Sequence, residues 1–151
     1  LHATVDLDAY VAAHLIAQSA IDLVMWQASI ENATPTLAKL ISLVVRDKAR
    51  MIAVGWTQMR ERIPQRDDVG LRLIARTVSD VWHTEELKGR QVPVFLGSGE
   101  DRDRLLAAHE LAATAGLGGV VGDDQRRVAQ DAISDVAARF HQLGVEIDVH
   151  R

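Results

Sequence analysis

The sequence predicts an all-α fold, and three observations predict it. Apolar residues recur every three to four positions along long stretches. The prolines, Pro35, Pro64 and Pro93, fall between those stretches rather than inside them. Ten glycines and 4% aromatic residues are few for a sheet protein. The length, 151 residues, is that of one domain and can bury roughly 70% of its unfolded surface. A single helical domain over 1–151 is expected, with a long helix pair over about 6–63 and accessory helices over about 67–143.

Composition also excludes several classes of function. With 48% apolar and 25% charged residues, the chain is not generally disordered. A net charge of −4 argues against non-specific binding of nucleic acid. The lack of cysteine excludes disulfides, thiolate metal sites and a cysteine nucleophile. No basic segment leads into an apolar one, and the first helix carries too many polar groups to read as a membrane span. No membrane partner is therefore expected, and a cytoplasmic location is the default. The chain begins at Leu1 rather than Met, which leaves residues upstream an open question.

The first helix is predicted from Asp6 or Asp8 to about Glu31, with acidic residues at its start. It is apolar on nearly every side and should be central and buried. Asn32-Ala33-Thr34-Pro35 breaks the pattern, with Thr34 as N-cap and Pro35 as first helical residue of the second helix. That helix should run to about Ile63, ended by Pro64, burying Leu37, Leu40, Ile41, Val44, Met51, Ile52, Gly55 and Met59. A third spans roughly Asp67 to Lys88, with Leu71, Ile74, Val78, Val81 and Trp82 inward and Gly89 as terminator. Val92 to Leu96 is a connector, since Pro93 argues against a central strand. Ser98 caps a fourth helix from about Glu100 to Ala115, and Gly116 to Gly119 form a loop. Asp123 caps a fifth helix that ends at Leu143-Gly144, and the tail from Val145 can lie along the bundle. The first two helices have matching lengths and a short link, so they should pair antiparallel.

Chemistry is expected where the period says inside and the residue is polar. His14, Gln18 and Asp22 follow one another by single turns on the first helix. Lys48 interrupts the apolar stripe of the second, between Val44 and Met51. A buried lysine loses several kcal/mol of solvation, of order 3–5, unless it is paired. Asp22 is its natural partner across an antiparallel helix pair. Two readings stay open: Lys48 reaches the bundle edge with its charge in water, or the polar seam is a site for a cofactor or substrate.

Val45-Arg46-Asp47-Lys48-Ala49-Arg50-Met51-Ile52-Ala53-Val54-Gly55-Trp56 resembles the D-E-A-R-H-x-A-F-G-W stretch of ferritin-like diiron carboxylate proteins. It is similar above all to bacterial members related to acyl-carrier-protein desaturases and para-aminobenzoate N-oxygenases. Gln58 to Pro64 resembles the family's L-x-E-R-L-P ending, and Leu143-Gly144-Val145 its usual close. The resemblance covers Ala12 to Pro64 well and the rest weakly. It implies a bundle whose E-x-x-H carboxylate and imidazole bind iron on an inward face. Here Lys48 stands for that Glu, Met51 for the His, and Gln18 for the iron-binding Glu of the preceding helix. An ammonium, a thioether and an amide are poor iron ligands, so no metal and no cofactor is expected. The family's first helix pair is also missing, which implies half a bundle completed by oligomerisation, as a homodimer or as a heterodimer with a ferritin-like partner.

Other signals are weaker. His83 and Glu86 read as a solvated pair, His109-Glu110 as surface, and the Arg60, Arg62 and Arg66 cluster as a solvated face. The glycine cluster at 116–122 follows a helix and is no dinucleotide fingerprint. Trp26 and Trp56, with Met25, Gln18 and Met51, are the candidate substrate-binding residues. Three functions follow. The first is a metal-free structural or complementing subunit, or a binder of a small apolar ligand. The second is a repurposed biosynthetic enzyme of secondary metabolism, with Lys48, Asp22 and His14 in acid–base roles on an apolar substrate. The third is a ligand-binding regulatory domain.

Overall fold

The computed structural model describes residues 5–83 and 99–149. Five helices account for most of them: α1 (Leu7–Asn32), α2 (Pro35–Arg62), α3 (Asp68–Val81), α4 (Glu100–Thr114) and α5 (Gly122–Gln142). Among the described residues there is no strand, only one antiparallel bridge between Ala33 and Leu117. The expected all-α class stands. Gly89, the connector at 92–96, Glu86, Lys88 and the cap at Ser98 lie outside the described residues.

Helix α1 is the centre of the bundle and packs against α2, α3 and α5. Its start is fixed by Asp6, whose carboxylate accepts from the backbone N–H of Asp8 at 3.0 Å and of Ala9 at 3.1 Å. Small residues then let its neighbours come close: Ala9, Ala12, Ala13 and Ala17 are buried. At Gly55 of α2 an added Cβ would lie 2.8 Å from the Ile16 side chain, so this glycine is required for the approach of the two helices. Over Val11–Gln18 the helix is in the wider π form, which the periodicity did not predict. By length and composition α1 passes as a membrane span, contrary to the expectation that it is too polar. Half of its apolar window is buried inside the protein, as in a core helix, though Tyr10 and Trp26 are exposed.

Helix α2 begins at Pro35 and ends in a 3-10 turn at Ile63–Gln65, close to the predicted bounds. Thr34 holds the cap position but makes no side-chain cap bond; its N–H donates to the Gly116 carbonyl at 2.8 Å instead. The predicted apolar stripe divides. Ile41, Gly55 and Met59 are buried with Trp56 and Ile63, whereas Leu40, Val44 and Met51 are exposed. Helical period identifies an apolar side, but α2 has two of them, and the described residues cover one.

Helix α3 is capped by Asp67, which accepts from Gly70 N–H at 2.8 Å, and buries Ile74, Val78, Val81 and Trp82 as predicted. The Trp82 indole N–H donates to the Ala17 carbonyl at 3.2 Å. Helix α5 starts one residue before Asp123, with Val121 at the cap position and no side-chain cap bond. It ends as predicted: Val145 N–H reaches the Phe140 carbonyl, Gly144 N–H the His141 carbonyl, and Gly144 takes φ +85°. The tail lies on the bundle, with Val145 buried and the Ser79 hydroxyl donating to the Asp148 carbonyl.

Candidate functional site

Two sets of charges join α1 to α2. At one end Asp8, only 2% exposed, accepts from Arg62 at 3.3 Å and lies 3.6 Å from Arg66. Arg66 also pairs with Asp6. Burial raises the Asp6 carboxyl, but the Ala9 N–H, Arg66 and the Asp8 N–H together outweigh it and hold the group below its ordinary range. Asp6 in turn holds the Arg66 guanidinium above its ordinary range. The arginine cluster is thus not a merely solvated face: only Arg60 leaves it, bonding Thr57 on the surface.

At the other end Lys48 Nζ donates to Asp22 Oδ2 at 2.5 Å, with both side chains largely buried. The antiparallel register that suggested this pair brings it together. Beside it opens a cavity of about 610 Å³. Met25, Trp26 and Ser29 of α1 line one side, and Leu105, Ala108, His109 and Ala112 of α4 the other. The wall between them is Leu117-Gly118-Gly119-Val120.

That wall needs its glycines. Gly118 and Gly119 have φ of +80° and +118°, and a Cβ at Gly119 would meet the His109 carbonyl at 2.9 Å. The wall is tied to α1 by Gly118 N–H to the Asn32 carbonyl at 3.0 Å and by Asn32 Nδ2 to the Gly119 carbonyl at 2.9 Å. Burial pushes the His109 imidazole below the usual histidine value of 6.5, so it stands neutral at pH 7. The cavity therefore offers apolar walls, one ion pair and one neutral imidazole.

Of the residues singled out from sequence, Lys48, Asp22, Met25 and Trp26 line this cavity. His14 and Gln18 do not; they bond to each other at 2.9 Å, with the Tyr10 ring 4.5 Å from that of His14. Trp56 is in the core against Phe140, and Met51 is 47% exposed on the outer side of α2. The acid–base set of Lys48, Asp22 and His14 is therefore not gathered at one place. His109, read as a surface residue, and the glycine wall are what sequence reasoning missed. The glycine run at 116–119 was the one available signal.

The residues do not fit the diiron centre that the family resemblance implies. Lys48 is a cation tied to Asp22, Gln18 is engaged by His14, and Met51 points away. Among the described residues no group of three or more His, Asp, Glu or Cys is placed to hold a metal ion. No protein-family model, curated protein or solved structure matches the chain.

Proposed function

We propose that this chain is a metal-free, ferritin-like helical protein that binds a small, mainly apolar molecule between α1 and α4 and is completed by a second chain. The observation that carries the binding role is the cavity itself: about 610 Å³, apolar on most sides, with Lys48, Asp22 and His109 supplying polar groups. That size and make-up suit a ligand-binding cleft. An ion pair and a neutral imidazole favour an uncharged ligand with one hydrogen-bonding group over a strong anion. Because Lys48 already donates to Asp22, its nitrogen is held in the cavity wall by that bond, which favours binding over the acid–base enzyme. The ferritin-like part rests on the sequence pattern and on the paired long helices α1 and α2.

Trp26 gives a direct test. It is 44% exposed at the rim, whereas Trp56 and Trp82 are buried. Titration with 1-decanol or 1-naphthol should change its fluorescence saturably, with one site per chain and Kd in the range of about 1–100 μM. Leu105→Trp, which narrows the cavity, should weaken binding about tenfold or more, and Trp26→Phe should remove the signal while calorimetry still registers binding. A linear, non-saturating response, or one indifferent to Leu105→Trp, overturns the binding role.

A further inference from the structure

Helix α2 has two apolar sides, and the described residues cover one of them. Ile41, Gly55, Trp56 and Met59 face the core. Away from it, Leu40, Leu43, Val44, Met51 and Val54 are between 41% and 62% exposed. Leu40, Val44, Asp47, Met51 and Val54 follow at alternating steps of four and three, the spacing of a helix that packs lengthwise on another helix. Single exposed apolar residues need no explanation; an aligned row of them marks an interaction surface.

We infer that this row is covered by the α2 helix of a second copy of the chain, running antiparallel, with the two-fold axis crossing α2 at the level of Ala49. The inference rests on the reading that a second chain completes the bundle, and it narrows that reading to one face and one partner. Two features of the row complement themselves in this arrangement. Asp47 and Arg50 lie on either side of the axis level, so each copy sets its Asp47 against the partner's Arg50, twice over. Within one chain these two are 3.4 Å apart and exposed, a weak contact; the pairing makes them a network of four alternating charges. A parallel pairing in register would stack Asp47 on its own copy.

The second feature is shape. Leu40 and Leu43 project near the N-terminal end of α2. Towards its C-terminal end Leu7 of α1 joins Val54, Thr57, Gln58 and Glu61 along an open groove. Turning a copy end for end sets Leu40 of each chain into the other's groove, and Val44 against Val54. Lys39, next to Leu40, then arrives beside Glu61. A two-fold interface must be complementary to itself, and this face is.

Sedimentation equilibrium of the full chain over about 1–100 μM should give twice the 16.6 kDa chain mass. Val54→Glu and Leu40→Glu, both at exposed positions, should each give a monomer with an unchanged circular-dichroism spectrum. Asp47→Arg and Arg50→Asp should each weaken self-association about tenfold or more. An equimolar mixture of those two single variants should form a heterodimer, and the double variant should recover the homodimer. A monomeric parent chain overturns both this inference and the two-chain reading. A dimer indifferent to Val54→Glu, Leu40→Glu and the charge exchange overturns the α2 face alone. A monomer that uses the same row to bind a lipid vesicle or a different protein overturns the choice of partner.

Discussion

The two ends of the α1–α2 pair use the same kind of bond for different ends. At the Asp8 end a carboxylate is closed in by two guanidinium groups, and the helices beside it are packed through alanines and Gly55. At the Asp22 end the ion pair forms one edge of a cavity whose other walls come from α1 itself, α4 and a glycine-rich turn. One end fixes the helix pair in place; the other leaves space beside it. An ion pair inside a bundle says little about role until the packing around it is known, because its net worth depends on desolvation and on what else fills the site.

The comparison can be broken at either end. The largest effect is expected at the closed end: Asp8→Ala leaves Arg66 without one of its two carboxylates and should cost about 2–3 kcal/mol in urea unfolding. Ligand binding at the cavity should be unchanged in that variant. At the open end Gly119→Val places a branched side chain at positive φ and against the His109 carbonyl, and should cost about 2 kcal/mol. It should also abolish saturable binding of 1-decanol, since the wall must move.

Lys48→Met is the sharper probe, because methionine replaces the lysine stem without the charge. Its cost should be about 1 kcal/mol, well below that of Asp8→Ala, because the pair borders an open space. Affinity for 1-naphthol, which carries a hydrogen-bonding group, should fall about tenfold, the worth of one hydrogen bond, while that for naphthalene holds. Equal losses for both ligands would remove Lys48 from recognition.

The smallest effect separates the two ends by pH. Burial holds His109 below 6.5, so the unfolded chain takes up a proton before the folded one does. Stability should then fall as pH drops below 6.5, and His109→Leu should flatten that limb. Asp6 is held below 3.8, so its contribution is present above 3.8 and is lost as pH falls through its folded value. Asp6→Asn should flatten only this lower limb. One variant flattening both limbs would mean that the two ends do not titrate independently.

The sequence made the framework legible. Pro35 and Pro64 bound α2 because proline is tolerated at the start of a helix and disfavours helix before it, and Asp67 and Gly144 stand where the start of α3 and the end of α5 were expected, whereas Thr34 makes no side-chain cap bond and α5 begins one residue ahead of Asp123. Lys48 could be paired with Asp22 because two long helices with a short link have one simple register. The cavity was only half legible. Met25 and Trp26 belong to the same helix as Asp22, but His109 comes from a helix far along the chain, and no local pattern says which helix lands there. Met51 was misplaced for a related reason: period tells which residues share a side, not which neighbour covers it.

The π turns between Val11 and Gln18 reach past Asp22 in their effect. Residues in a regular α-helix advance by about 100° each. A wider stretch alters the running angle of everything that follows, so the direction in which Asp22, Met25 and Trp26 look is set upstream, around His14. Rewinding that stretch as a regular α-helix of the same number of residues would turn the cavity-facing groups away from Lys48 and α4. The orientation of the binding side is therefore written in a part of the helix that never touches it.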